Sequence, residues 1–197
     1  MDILTWAFGI IGVLGTFGTF YYGFKSYKLS IQRYRFSWAD VVDGCQKISK
    51  KCIKRFKPDA ILTFSGAGSI IANLSLLYSG MYLPIYTVIE FPATTENLPL
   101  KLERYFNFKT SKWLLCVPQS LMIHVDKKIT IIHDCAITGV GIDMVVKQLV
   151  ELGFKRENLM VASLICTQAA IDARLSPDFY PYSVENSVFY FPWGGRI

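Results

Sequence analysis

Several features are missing from this chain, and each absence removes a class of function. Its five cysteines include no Cys-x-x-Cys pair, and neither histidine stands at the usual ligand spacing from them, which argues against a zinc ribbon or a dithiol redox centre. An odd cysteine count with apolar neighbours reads instead as reduced core thiols in a cytoplasmic compartment. No aromatic–basic RNA-binding pattern is present. The net charge of +6 therefore argues only weakly for nucleic acid, which is not expected as a partner, and somewhat better for an anionic membrane face. The longest absence is of charge itself: Ile3 to Phe24 contains no Asp, Glu, Lys or Arg. No basic stretch precedes that run and no small-x-small site follows it, so it does not read as a cleaved signal peptide.

The uncharged run is long enough to cross a hydrocarbon core as a helix. Trp6 lies near one end, and Tyr21 and Tyr22 near the other, as in an aromatic belt. Asp2 precedes the span, whereas Lys25, Lys28, Arg33 and Arg35 follow it. The positive-inside bias then puts the N-terminus outside and the remainder in the cytoplasm, as a single-pass membrane protein. Gly12/Thr16 and Gly15/Thr19 are small-xxx-small pairs, a spacing that lets two membrane helices approach closely and predicts a homo-oligomer. The division expected is an anchor over 1–24, a basic connector over 25–36 lying along the lipid surface, and a folded domain over 37–197.

Ser37, with Asp40 three residues on, predicts a capped helix start. Val41, Val42, Cys45, Ile48, Cys52 and Ile53 then recur at helical spacing, and the helix should end before Pro58. Ala60 to Phe64 is a short apolar strand. It is followed by Ser65-Gly66-Ala67-Gly68-Ser69, a helical run from Ile70 to Tyr78 closed by Gly80, and a strand from Pro84 to Ile89. Strand, Gly turn, helix, strand is a βαβ unit, expected to be parallel. Residues 90–124 are the least legible; Trp113 to Val117 and Leu121 to Val125 are candidate strands beside a lid or interaction loop. Leu159 to Ile165 is a further strand, and Ala169 to Ala173 is weakly helical. The fold class is α/β, with a mainly parallel twisted sheet flanked by helices.

The chemistry is concentrated between Lys128 and Asp143. Ile129 to Ile132 has the β-branched composition of a buried strand, with His133 and Asp134 where that strand should end. Cys135 to Gly141 is a small-residue loop, and Ile142 to Leu152 is a helix capped by Gly153. A loop entering a helix beyond a strand's carboxyl end offers free N–H groups and the positive end of a dipole, a seat for phosphate. An ordinary strand–turn–helix crossover with no ligand has the same local pattern.

The run Ile-Ile-His133-Asp134-Cys-Ala-Ile-Thr138-Gly139-Val140-Gly141 resembles the ribose-phosphate loop of type I phosphoribosyltransferases. In that family two acidic residues precede a Thr-Gly-x-Thr or Thr-Gly-x-Ser turn. His133 stands at the first acidic position and Gly141 at the final hydroxyl position. Pro58-Asp59, the following strand and the small residues Ser65, Gly66, Ala67 and Gly68 resemble the family's approach to its pyrophosphate loop, here without Arg or Lys. Close helix–strand packing explains those small residues equally well. Pro177-Asp178-Phe179-Tyr180 and the ending Phe191-Pro192-Trp193 resemble the purine-type members, where this end hoods the base.

The resemblance implies that Ala136, Ile137, Thr138, Gly139, Val140 and Gly141 hold a 5′-phosphate. It implies that Asp134, beside His133 at the reacting centre, binds ribose hydroxyls or a metal ion. Mg²⁺ would be the cofactor, phosphoribosyl pyrophosphate and a purine-type base the substrates, and Tyr180 and Trp193 the stacking groups. A second reading keeps the phosphate seat without the chemistry: a membrane-tethered nucleotide sensor or effector. His133, Ile137, Gly141 and the missing cation favour it. A third reading makes Cys135 a nucleophile near His133 or His124. For the anchor the expected outcome is direct. Deleting residues 1–24 releases a soluble domain, and full-length protein that leaves membranes on carbonate extraction without detergent would overturn the span.

Overall fold

The computed structural model describes residues 34–64, 66–94, 102–185 and 188–194. The expected membrane span and most of its connector lie outside the described residues, as does Ser65. Among the described residues, no helix is long and apolar enough to cross a membrane. From Phe36 onward the chain forms one compact α/β unit.

Helix α1 spans Trp38–Ile48 and opens on a capping box. The Ser37 hydroxyl accepts from Asp40 N–H at 3.2 Å, and the Asp40 carboxylate accepts from Ser37 N–H at 2.8 Å. These bonds satisfy two of the amides that a helix start leaves without partners. The helix continues through Ser49–Arg55 in wider, π-helical form and stops before Pro58, as the sequence predicts. Its apolar stripe (Val41, Cys45, Ile48, Cys52 and Ile53) is fully buried.

Strand β1 is Ala60–Phe64, helix α2 is Ala67–Ser79 with Gly80 left-handed behind it, and β2 is Ile85–Pro92. β1 and β2 pair in parallel, so the βαβ unit forms as expected. Tyr105–Lys109 (β3) and Trp113–Pro118 (β4) make a hairpin whose second strand pairs antiparallel to β2. The expectation of a strand over Leu121 to Val125 is corrected: Gln119–His124 is a 3₁₀ helix. In that segment Leu121 is buried while Ile123 is exposed, and among the described residues no strand pairs with it.

Strand β5 is Ile129–Ala136, α3 is Val140–Glu151, β6 is Leu159–Thr167, α4 is Gln168–Asp172, β7 is Tyr182–Val184 and β8 is Phe189–Tyr190. Seven strands form one sheet in the order β3-β4-β2-β1-β5-β6-β7. Its five strands from β2 to β7 are mutually parallel. β1 and β5 are central and buried on both faces, which is why they read as unbroken apolar runs rather than alternating ones.

On one face Leu62, Phe64, Ile131 and Val161 pack with Ile142, Val145 and Leu149 of α3. The opposite face is covered by α1, its π-helical extension and α2. There the buried Thr130 hydroxyl donates to the Cys52 carbonyl at 2.8 Å, tying the extension to β5. α3 ends in a Schellman cap: Gly153 N–H donates to Val150 O and Phe154 N–H to Leu149 O, with Gly153 at φ +102°.

The capping box sets a stability test. Ser37→Ala removes one of its two arms and should lower unfolding stability by about 1 kcal/mol in a denaturant melt of the protein. An unchanged melt would show that the helix start is held by tertiary packing alone.

Candidate functional site

The carboxyl ends of β1, β2 and β5, the start of α3 and the tip of the β3–β4 hairpin enclose a cavity of about 530 Å³. Strand β5 reaches further than expected. It runs through Ala136, so His133 and Asp134 lie within paired strand and not at its end. The loop is correspondingly shorter, Ile137 to Gly139, and Val140 and Gly141 already belong to the first turn of α3. Parallel pairing of Cys135 with Ile165 and of Ala136 with Cys166 extends the strand past the point where its polar residues suggest a break.

All six residues of the expected phosphate loop, Ala136 to Gly141, line the cavity, as do His133 and Asp134. The first helical bond of α3 runs from Asp143 N–H to the Gly139 carbonyl. The amides of Val140, Gly141 and Ile142 precede that bond, and no side chain caps them. This is the arrangement that seats an anion. The loop is braced from behind by β6, where Thr167 donates its hydroxyl to the Ile137 carbonyl and also accepts from Ala170 N–H.

Gly139 is at φ +72°, and a Cβ there would stand 2.1 Å from the Leu175 carbonyl oxygen. That glycine is required by the close passage of the 173–177 segment. Gly141 differs: a Cβ there meets nothing within 4 Å.

The end of the cavity at His133 is electrostatically closed on itself. His133 Nδ1 lies 2.7 Å from Asp134 Oδ1 and 3.1 Å from the Cys135 amide nitrogen. One nitrogen cannot donate to the carboxylate and accept from the amide at the same time. The shorter, charge-assisted contact prevails, so Nδ1 carries its proton toward Asp134. Burial opposes the imidazolium, but the Asp134 bond and charge, with Glu90 beyond, hold the His133 pKa above its ordinary value. Burial would likewise raise Asp134, yet its bond to His133 and its backbone N–H contacts leave it lowered overall. The Phe64 ring stands edge-on to the imidazole at 4.4 Å between centroids.

Sequence reasoning missed Glu90, Phe64, Lys112 and Trp113, all on the cavity wall. Glu90 is held protonated to higher pH than an ordinary carboxyl, first by burial and then by Asp134, with His133 acting the other way. Lys112 comes from the hairpin tip, where the Thr110 hydroxyl accepts from Lys112 N–H and Trp113 N–H. Its signal was a lone lysine in a mixed loop; only the hairpin's fold-back brings it over the site.

Two sets of candidate residues stand off this cavity, and the rival thiol reading is disfavoured. Tyr180 and Trp193 do not line the cavity: Trp193 stacks on Phe191 at 4.4 Å and lies against Trp38, and Tyr180 packs on the core. The C-terminal aromatics cover apolar surface beside α1, because burial there outweighs exposure over a polar cleft. Gly66, Ala67 and Gly68 also stand off the cavity wall. Gly66 turns the chain at φ +72°, while Gly68 packs against β1, where a Cβ would approach Thr63 Oγ1 at 3.1 Å. Finally, burial, Asp134 and Glu90 together push the Cys135 thiol well above its usual range. That is the reverse of what a nucleophile needs, and His124 is engaged with the Tyr86 hydroxyl at 3.1 Å.

Mg²⁺ fits these donors poorly. It demands near-octahedral oxygen coordination, and the cluster offers an imidazole, a thiol and a carboxylate already bonded to that imidazole.

The sequence matches no family model, and no curated protein matches it. Solved structures do match. The purine phosphoribosyltransferase from Pyrococcus horikoshii Ot3 aligns with a TM-score of 0.61 at 20% identity, over 83% of this chain and 94% of that one. A hypothetical protein from Neisseria gonorrhoeae with bound ppGpp aligns at 0.58 and 17%, over 83% and 91%. The xanthine-guanine-hypoxanthine phosphoribosyltransferase of Helicobacter pylori aligns at 0.55 and 16%, over 82% and 92%. The domain therefore has the type I phosphoribosyltransferase fold.

Two outcomes follow from the site. Gly139→Ala should destabilise the fold by about 2 kcal/mol or more without any ligand, whereas Gly141→Ala should leave the melt unchanged or slightly raised. On titration by NMR, His133 should ionise above the ordinary histidine range in wild type and fall back in Asp134→Asn. The imidazolium's contribution to stability is full below the ordinary histidine pKa and is lost as pH rises through the folded one. Asp134 contributes above the ordinary carboxyl pKa and loses its share as pH falls through its lowered one, so the pair is complete only between those limits.

Proposed function

We propose that the cavity seats a 5′-phosphorylated ribose compound of purine type, with its phosphate on the amides of residues 138–142 and its ribose toward Asp134. The observation that carries this reading is the uncapped start of α3 opening into the cavity at the end of a central parallel strand. In its stronger form the domain is a phosphoribosyltransferase acting on phosphoribosyl pyrophosphate and a purine-type base. Lys112 would then supply the cation that the 65–69 turn lacks, and positioning and electrostatics would carry catalysis.

The second form is a nucleotide sensor or effector descended from such an enzyme. The His133–Asp134 contact favours it, because that carboxylate spends its charge on a neighbouring side chain. The Neisseria gonorrhoeae protein of the same fold was solved with bound ppGpp, which supports nucleotide recognition as a use of this architecture. In either form the uncharged run at 3–24 would hold the domain at the cytoplasmic face of a membrane, paired through its Gly/Thr stripe.

Calorimetric titration with phosphoribosyl pyrophosphate, GMP and ppGpp, run beside a pyrophosphate-release assay, tests this. Wild type should bind at least one of them, and Gly141→Ala should weaken that binding 10-fold or more by putting a methyl where phosphate approaches. Turnover that falls by roughly two to three orders of magnitude in Asp134→Asn identifies the enzyme. Binding without turnover identifies the sensor, and no binding of any of the three sinks both forms.

A further inference from the structure

The chain has two histidines, and the structure puts them to different uses. His124 lies outside the cavity, bonded to Tyr86. His133 stands on the cavity wall, bonded to the Asp134 carboxylate. One donor atom from each of His133, Asp134 and Cys135 lies within 4.8 Å of the others, and Glu90 shares the same wall. We propose that His133, Asp134 and Cys135 form a zinc(II) site, open on the cavity side, in which the metal is selected against Mg²⁺ by its nitrogen and sulfur donors.

The argument rests on donor chemistry and placement. Zinc takes imidazole nitrogen, thiolate sulfur and carboxylate oxygen together and tolerates tetrahedral or five-coordinate geometry, because its filled d shell imposes none. Three protein donors with a position left toward a cavity is the arrangement of a zinc that still accepts an exogenous ligand. The spacing suits one ion: donors each about 2.0–2.3 Å from a common metal stand within 4.8 Å of one another. The His133–Asp134 contact opens as the ion replaces the shared proton. Asp134 is buried and Glu90 lines the same wall, so two carboxyl groups stand within the cavity where an arriving cation could bind. The thiol of Cys135 holds its proton tightly in the protein alone and gives it up on coordination. Consecutive residues of β5 provide all three donors, and all three line the cavity. The proposal rests on the phosphorylated-ribose reading only for the ligand that completes the coordination.

The test uses the full chain in detergent micelles, stripped with chelator and titrated with Co²⁺ as a spectroscopic stand-in. Wild type should take up one Co²⁺ per chain with visible bands of low-coordinate cobalt and a sulfur-to-metal charge-transfer band. Stoichiometric Zn²⁺ should displace it, and a 100-fold excess of Mg²⁺ should not. His133→Gln and Asp134→Asn should each weaken binding at least 10-fold. Cys135→Ser should abolish the charge-transfer band, and His124→Gln should change nothing. Should a site variant fail to fold, wild type still decides: Zn²⁺ must shift the ring resonances of His133 and not those of His124. No stoichiometric Co²⁺ uptake, displacement by Mg²⁺, or undiminished binding in folded His133→Gln overturns the proposal. Repeating the nucleotide titrations in chelator separates the two ideas: nucleotide binding without metal uptake removes the zinc site alone, and metal uptake without nucleotide binding removes the phosphate seat alone.

Discussion

The whole arrangement hangs on the parallel pairing of β1 with β5 at the centre of the sheet. Ala60 to Thr63 align with Ile129 to Ile132, and the pairing is clamped from the side by the Thr63 hydroxyl, which donates to the Ile132 carbonyl at 3.0 Å. Both strands are sealed on two faces, so neither can slip register without moving its side chains from one packed layer to the other. With that register set, Phe64 and His133 become neighbours across the sheet, and β5 carries Asp134 and Cys135 to the cavity floor. β6 then extends β5 on its other side and braces the loop over 137–139 through Thr167.

A second constraint closes the cavity from the C-terminal side. The segment after α4 passes so close to the loop that position 139 must be glycine. That segment is itself pinned to β6: Asp178 accepts from the Val161 amide at 2.8 Å and pairs with Arg156 at 2.9 Å. The Pro177-Asp178 pair that resembles a purine-site element in sequence therefore holds the loop's backing in place. A structural duty for Gly139 and an open neighbour at Gly141 divide what looked like one Gly-rich feature into two unlike positions.

The site's electrostatics differ from what two acidic residues in the same places would produce. A carboxylate pair repels itself and takes up a hard cation. Here an imidazole neutralises one carboxylate, a thiol stands beside it, and the remaining acid, Glu90, arrives from a strand two places away. What the cluster offers is a mixture of nitrogen, sulfur and oxygen donors that suits a softer cation.

Much of the fold was legible in the residues themselves, because it depends on local chemistry. The Ser37–Asp40 box, the stripe from Val41 to Ile53, the β-branched run at Ile129 and the glycines at 80 and 153 each specify their element through backbone amides or apolar spacing. The strand–loop–helix passage over 129–151 was legible for the same reason, being one continuous stretch. What only the tertiary structure decided is whatever needs two distant segments to meet. The strand over Ile129 to Ala136 outruns its apolar composition because β6 pairs with its polar end. Glu90 and Lys112 join the site through the β2–β4 pairing, and no local pattern marks them. Trp193 and Tyr180 leave it because buried apolar area beside α1 and the core outweighs a place above a polar cleft. Sequence order decides which elements form, since hydrogen bonding and side-chain periodicity act over a few residues; their pairing decides which side chains share a cavity, since that follows from sheet register and packing across the whole chain.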